Sequence, residues 1–365
     1  MRKSIKVLVI SSYRDAFHAV RPEGEMLIGL QRAGVEMEIM TQGDAEYAAL
    51  FRKAGIRVID FHPEKKFSWT AIRRIRAELQ RGGHHILHLF NNRAIVNGNF
   101  AAWGLPVKVV TYRGVVGNIH WYDPSCYLTH LNPRVDKIIA VVDAVRDNLR
   151  KQVWYPKKIE TVYKGQEVSW YEDVKPADLR EFGIPKNSFV VASVANVRKW
   201  KGIRFLIESG GYLPADAPIH FLLIGKGMDS PDLLEMMRKS PLGGHFHVAG
   251  FRADAVNLVA ACSVYVQPSY KKEGLGKTVL EAMCLGIPPI VTDEGGPKEY
   301  VEDGESGFVV PSKNAKAIGE AVEKIWRDES LRMKMGAAAK KQVAKKLSIS
   351  QSVDQTKRIY EELGL

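Results

Sequence analysis

Short apolar runs rich in Val, Ile and Leu recur along the chain, separated by longer stretches whose apolar positions fall at helical spacing. A brief continuous apolar run bounded by polar residues suits a strand buried on both faces, and the longer pattern suits an amphipathic helix. Their regular alternation predicts parallel sheets covered by helices. Strands are expected at Lys6–Ile10, Glu36–Met40, Arg57–Phe61, His85–Leu89, Lys108–Tyr112, Lys137–Val142 and Ile159–Tyr163. After a polar, proline-containing stretch from Lys164 to Lys186, a second series follows at Phe189–Val194, His220–Ile224, His245–Ala249, Val264–Gln267, Pro289–Thr292 and Gly307–Val310.

A chain of 365 residues is comfortable for two cores. The expected division is an amino-terminal domain over residues 1–165, a carboxyl-terminal domain over 166–347, and a last helix over 348–365 that packs back on the first domain, with Lys164–Ser169 as the hinge. Two parallel-sheet domains of this kind present strand carboxyl ends to a central ligand cleft.

Composition is that of a globular protein, and no apolar run approaches the roughly 20 residues needed to cross a bilayer. The apolar segment Val7–Ile10 is cut short by Ser11-Ser12-Tyr13-Arg14-Asp15, so it reads as a first strand and not as a signal peptide. Cys126, Cys262 and Cys284 have no metal-ligand spacing; with no export signal they point to reduced thiols and a cytoplasmic location. Charge is uneven. Residues 1–165 hold 26 Lys and Arg against 15 Asp and Glu, nearly all of the net +12. Within them Lys65–Arg76 mixes cations with Phe67, Trp69, Ile72 and Ile75, which suits an anionic membrane surface, an anionic acceptor or a helix packed on its own sheet. No nucleic-acid-binding signature accompanies the charge.

The most informative stretch is Lys272-Glu273-Gly274-Leu275-Gly276-Lys277-Thr278-Val279-Leu280-Glu281. It leaves an expected strand and enters an expected helix. Free N–H groups and the dipole at such a helix start favour a diphosphate, glycines allow close backbone approach, and two carboxylates eight positions apart can accept hydroxyl hydrogen bonds on either side of it.

Together with Gly286-Ile287-Pro288-Pro289, Gly295-Gly296-Pro297-Lys298-Glu299 and Asp303-Gly304-Glu305-Ser306-Gly307, this stretch resembles the retaining glycosyltransferases of family 4. The resemblance implies two Rossmann-like doubly wound parallel-sheet domains facing a central cleft, the arrangement called GT-B. It also implies a nucleoside diphosphate sugar donor, a hexose-type group transferred with retention, and a glycan, glycolipid or small-molecule acceptor in lipopolysaccharide, capsule or exopolysaccharide assembly. Neither a cofactor nor a metal is expected. By carry-over, Glu273 holds the donor sugar and Glu281 the ribose. Backbone groups at Gly274, Leu275, Gly276, Lys277 and Thr278 meet sugar and phosphates. In Asn196-Val197-Arg198-Lys199-Trp200-Lys201-Gly202, Lys201 matches the family's diphosphate-neutralising cation, and Arg198 replaces the usual arginine, whose place Asn196 occupies. Gly225 in Gly-Lys-Gly, with Gly250, Phe251 and Arg252, lies where relatives approach the nucleotide.

The first domain departs from the pattern. The loop from Ser11 to Gly24 lacks the usual glycine pair, and Arg113 stands after the fifth strand where many relatives carry His. Expected acceptor-side residues are Arg14, Arg21, His88, Asn91 and Arg113, with His120 as a substitute catalytic histidine. Alternatives are a sugar-nucleotide epimerase or hydrolase, and a non-catalytic sugar-nucleotide or glycan binder; a nicotinamide-dependent dehydrogenase is disfavoured by the lack of Gly-x-Gly-x-x-Gly after the first strand.

Overall fold

The computed structural model describes residues 4–14 and 17–363; Met1–Lys3, Asp15 and Ala16 of the expected acceptor loop, and the end of the expected last helix at Gly364–Leu365 lie outside them. The chain divides into two compact units, residues 1–165 with 347–365, and residues 166–346.

In the first unit the elements run β1 (Lys6–Ile10), α1 (Phe17–Arg32), β2 (Glu36–Thr41), α2 (Glu46–Lys53), β3 (Arg57–Asp60), α3 (Trp69–Gly82), β4 (Ile86–Leu89), α4 (Asn92–Ala101), β5 (Lys108–Arg113), β6 (Lys137–Ala140), α5 (Asp143–Arg150) and β7 (Ile159–Thr161). All strands pair in parallel, in the order β3-β2-β1-β4-β5-β6-β7. β6 and β7 stop at Ala140 and Thr161, two residues short of the expected Val142 and Tyr163, where their mutual register ends. The expected loop from Ser11 to Gly24 is also shorter: α1 is already helical at Phe17 and carries Pro22 inside it.

In the second unit β8 (Phe189–Val194), α6 (Ile203–Ser209), β9 (Ile219–Ile224), α7 (Pro231–Lys239), β10 (Phe246–Gly250), α8 (Ala255–Ala260), β11 (Val264–Gln267), α9 (Lys277–Leu285), β12 (Pro289–Thr292), β13 (Phe308–Val310), α10 (Ala315–Arg327) and α11 (Glu329–Lys346) form a second parallel sheet, ordered β10-β9-β8-β11-β12-β13. Both units are Rossmann-like and doubly wound. No helix among the described residues is long and apolar enough to cross a membrane.

Right-handed crossovers fix which face each helix covers. In the first sheet the chain moves outward through β2 and β3, then returns to β4 beside β1 and continues to β7, so α1 and α2 cover one face and α3, α4 and α5 the other. In each sheet there is one place where the winding reverses, between β1 and β4 and between β8 and β11. Ligand crevices of doubly wound sheets open outside the strand carboxyl ends at such points.

α12 (Ile349–Glu362) belongs to the first unit, although it follows the whole of the second. It packs on α1 with Val353, Ile359 and Tyr360 buried. Ser352 donates to the Tyr163 carbonyl at 2.6 Å and accepts the Gly165 N–H at 2.9 Å. Gly29 of α1 makes the approach possible, since a Cβ there would lie 2.5 Å from Val353 Cγ2.

Gly29→Ala is therefore expected to lower stability by about 1–3 kcal/mol, the usual cost of overpacking. Thermal denaturation checks it, and Gly29→Ala combined with Val353→Ala recovers part of the loss.

Candidate active site

In the second unit the residues expected to hold the donor lie at the winding reversal. The segment after β8 carries Lys201 in a 3-10 turn, and the segment after β11 carries Glu273. Gly202, at φ 70°, lets the two segments touch, because a Cβ there would run into the Pro268 carbonyl oxygen. Across that contact Lys201 Nζ lies 2.8 Å from Glu273 Oε2. The same oxygen accepts from Ser269 Oγ at 2.6 Å and from Gln267 Nε2 at 3.2 Å. Glu273 is buried, and a buried carboxylate persists only with such compensation. Nothing among the described residues donates to its Oε1.

Support comes from beneath. Gln267 also bonds Tyr265 and Ser269, at 2.9 and 2.8 Å, and the Thr292 hydroxyl donates to the Ser269 carbonyl. Gly295, at φ 76°, presses on the Glu273 backbone, where a Cβ would come 2.7 Å from Glu273 Cβ. The Gly296 N–H reaches the Gly274 carbonyl at 3.1 Å. The conformation of the glycine loop is thus enforced by a second glycine pair.

Gly276 starts α9 in the left-handed conformation, φ 68° and ψ 56°. It sits under Pro297, whose Cγ would be 2.6 Å from a Cβ, and under Tyr300, whose hydroxyl donates to the Leu275 and Gly276 carbonyls at 2.5 and 3.2 Å. α9 has no acidic residue in its first turn, so the positive end of its dipole is not offset there. Thr278 Oγ1 is 2.6 Å from the Tyr265 hydroxyl. Glu281 is buried one turn in, paired at 2.9 Å with Lys277. Lys201, Glu273, Gly274, Leu275, Gly276, Lys277, Thr278 and Glu281 therefore form one neighbourhood.

A second group joins it through Asn196. Asn196 Oδ1 accepts the Lys226 N–H at 3.2 Å and the Val197 N–H reaches the Lys226 carbonyl at 2.8 Å, so the residue that replaces the usual arginine binds the Gly225-Lys226-Gly227 loop. Gly225 has no room for a Cβ against the Ala195 carbonyl, and its N–H donates to the Gly250 carbonyl at 2.7 Å. Phe251 is exposed beneath Lys226, whose Nζ lies 5.1 Å above its ring. Arg252 is held by Asp254 at 2.7 Å and Glu181 at 3.2 Å, which raise its pKa. Arg198 is exposed, with its guanidinium 5.6 Å from the Trp200 ring centre. Sequence reasoning missed Tyr265, Gln267, Ser269, Thr292 and Tyr300. The signal for Gln267 was a polar residue closing an otherwise apolar strand.

In the first unit, a pocket of about 490 Å³ opens at the β1/β4 reversal, lined by Ser11, Ser12, His62, Lys66, Asn91 and Arg93 among others. Asn91 caps α4 through Oδ1, which fixes its amide orientation, so its Nδ2–H donates to His62 Nε2 at 2.9 Å. Glu23, absent from the sequence-based candidates, is buried at the pocket wall and accepts from Ser11 at 2.6 Å and Tyr13 at 2.9 Å.

Other expected acceptor-side residues sit elsewhere. Arg14 is exposed and paired with Asp44 at 3.1 Å, and Arg21 is half-buried in α1. His88 is fully buried in β4, 2.6 Å from the Tyr360 hydroxyl, and burial pushes its pKa down to about 3; α12 occupies the space that an acceptor would need to reach it. Arg113 is buried and donates to the Val115 and Gly117 carbonyls at 3.1 and 2.6 Å, so it shapes its own loop. His120 is half-buried, stacked on Tyr122 at 5.1 Å.

Two family models match in succession, Glycosyltransferase Family 4 over residues 24–169 and Glycosyl transferases group 1 over residues 174–342. The chain belongs to this glycosyltransferase family. It is 27% identical over 240-odd residues to the alpha-D-kanosaminyltransferase of Streptomyces kanamyceticus, covering 65% of this chain and 63% of that one. With the lipopolysaccharide core biosynthesis glycosyltransferase LpsE of Rhizobium meliloti it shares 30% identity, over 44% of this chain and 46% of the relative. Alignments with the curated family members reach about three fifths of their length at most among these. The fold matches Anabaena HepE, solved with UDP and glucose and with UDP-glucose, at a TM-score of 0.75 and 18% identity over 98% of this chain and 100% of that one. Both units together are the GT-B fold of the family.

Buried neutral histidines give this family member a pH-dependent stability. Burial pushes the His88 and His130 imidazoles both down to about 3, whereas an unfolded histidine takes its proton near 6.5. Below about pH 6.5 the unfolded chain therefore binds protons that the native state refuses, and stability falls as pH drops toward 3. Urea unfolding at pH 7 and pH 5 should differ by roughly 2 kcal/mol for each such imidazole, with His88→Gln showing a smaller difference.

Proposed function

We propose that this chain is a retaining glycosyltransferase that moves a hexose-type group from a nucleoside diphosphate sugar to a hydroxyl of a glycan or glycolipid in bacterial cell-surface polysaccharide assembly. The observation that carries the reading is the Lys201–Glu273 pair fixed beside the amino end of α9. The relatives' names, a lipopolysaccharide core enzyme and an aminosugar transferase, and the UDP-glucose bound by HepE support the same class.

With Oε2 held by Lys201, Ser269 and Gln267, Glu273 keeps Oε1 for a donor-sugar hydroxyl. The N–H groups opening α9 and the Lys201 ammonium stabilise charge on the departing diphosphate, and Arg198 adds a second cation. Glu281 accepts from the ribose. As the bond from the anomeric carbon to the diphosphate oxygen breaks, the acceptor oxygen bonds to that carbon from the same face, and its proton passes to the departing phosphate. The diphosphate then leaves with one more proton and no glycosyl-enzyme bond is made. No metal enters this scheme, so excess EDTA should leave turnover unchanged.

A thermal-shift panel of UDP, GDP, ADP and their sugars identifies the donor, and nucleoside diphosphate release with candidate acceptors measures turnover. Lys201→Ala and Glu273→Gln should each lower turnover about 10²- to 10³-fold, with melting measured alongside because Lys201→Ala leaves a buried carboxylate short of a partner. Unchanged turnover in folded Glu273→Gln would remove the assignment; donor consumption without an acceptor would make the protein a hydrolase.

A further inference from the structure

The apolar side chains of Lys65–Arg76 divide: Ala71, Ile72 and Ile75 of α3 are buried, as is Leu79 one turn further on, while Phe67 and Trp69 at the start are exposed. Its loop is also pinned. Buried Asn97 donates to the Lys65, Lys66 and Arg93 carbonyls at 3.0, 3.1 and 2.8 Å and accepts the Ser68 N–H at 2.9 Å. Of the readings that the sequence leaves open for this segment, the buried side of α3 fits the packed helix, and only Phe67 and Trp69 at its start offer apolar surface.

The exposed apolar surface lies next to it. Of thirteen large apolar side chains exposed among the described residues, nine fall between Phe67 and Tyr155, in the connections of one face of the first sheet. Their centre is two Trp-Tyr pairs, Trp121-Tyr122 and Trp154-Tyr155. Each pair precedes a proline that opens a 3-10 turn, Pro124–Leu128 and Pro156–Lys158. These side chains are 60%, 66%, 83% and 77% exposed.

The two pairs are parts of one surface. Trp121 N–H donates to Gln152 Oε1 at 3.2 Å, and the Tyr127 hydroxyl donates to the Trp121 carbonyl at 2.9 Å. Beside the second pair lies a pocket of about 380 Å³ whose walls include Trp154, Tyr155, Val153, Leu131 and the same Gln152 and Tyr127 that bond the Trp121 backbone. Asn99 of α4 ties in the exposed Leu128 by bonding its carbonyl at 3.2 Å.

Charge singles out the occupant. Residues 64–158, which supply this layer, hold sixteen Lys and Arg against six Asp and Glu, so ten of the chain's twelve net positive charges are here. Lys151 and Lys157 stand exposed beside the second pair, and Lys158 borders the pocket. Of the acidic groups nearby, Asp136 is occupied by Arg134 at 2.9 Å. Tryptophan and tyrosine with an apolar body and a polar tip, set among cations, suit the headgroup boundary of an anionic bilayer, where the rings enter and the cations meet phosphate. A protein partner's core would instead call for a patch depleted of lysine.

We propose that this face of the amino-terminal unit docks on an anionic phospholipid surface, with Trp121, Tyr122, Trp154 and Tyr155 entering the interface. It goes beyond the catalytic reading and does not depend on it, since vesicle binding needs neither donor nor acceptor.

The test is co-sedimentation of the full chain with vesicles of phosphatidylcholine containing about one third phosphatidylglycerol, and with phosphatidylcholine alone. Binding is expected to the anionic vesicles only, with a blue shift of tryptophan emission, and to weaken at about 0.5 M salt. Trp121→Ser with Trp154→Ser should lower partition at least about tenfold, while Tyr212→Ser, exposed on the other unit, leaves it unchanged. Circular dichroism confirms that the variants fold. Failure to bind anionic vesicles overturns the proposal, as does binding that the tryptophan double variant leaves intact. Concentration-dependent dimerisation lost in that variant, without vesicle binding, assigns the face to a second copy of the chain and also overturns it. Nucleoside diphosphate release, measured separately, keeps a failure here distinct from a failure of the transferase reading.

Discussion

A buried carboxylate needs other groups to replace the water it lost, and Glu273 is held in that way. Its ammonium partner comes from the segment after β8 and its hydroxyl and amide partners from the segment after β11. These are the two strands between which the winding of the second sheet reverses. The pairing is thus a fold-level constraint. It requires the glycine at 202, which lets one loop touch the other, and the glycine at 295, which presses the carboxylate's own backbone into position. The packing of Pro297 and Tyr300 over Gly276 then sets the start of α9 relative to that carboxylate.

The two units use one architecture for unlike surroundings. In the second unit the reversal is lined by glycines and holds an ion pair. In the first it opens into a pocket edged by hydroxyls, amides and the cations Lys66 and Arg93, with the buried Glu23 at its wall. The same winding rule locates both, while side chains decide what each can hold.

Every strand expected from apolar runs is present, with ends displaced by a residue or two. Val, Ile and Leu runs are legible because strands buried on both faces tolerate little else. Glu273 and Lys201 were legible because their spacing and glycine neighbours recur in a family. Their supporting groups were not: Ser269, Thr292 and Tyr300 act through contacts between distant segments that no local pattern records. The first unit shows the opposite error. His88 and Arg113 look available in sequence because both follow or end a strand, yet α12 covers one and a neighbouring loop absorbs the other. A helix that returns from more than two hundred residues away leaves no trace beside the residue it buries.

That return also orders the chain's assembly. Residues 166–346 form a continuous unit, whereas the amino-terminal unit is interrupted and completed by residues 347–365. During synthesis the carboxyl-terminal sheet can close before the amino-terminal one has its last helix, so the first unit to emerge is the last to be finished. Until then the surface of α1 around Gly29, later covered by Val353, Ile359 and Tyr360, stays open to solvent and to whatever binds nascent apolar grooves.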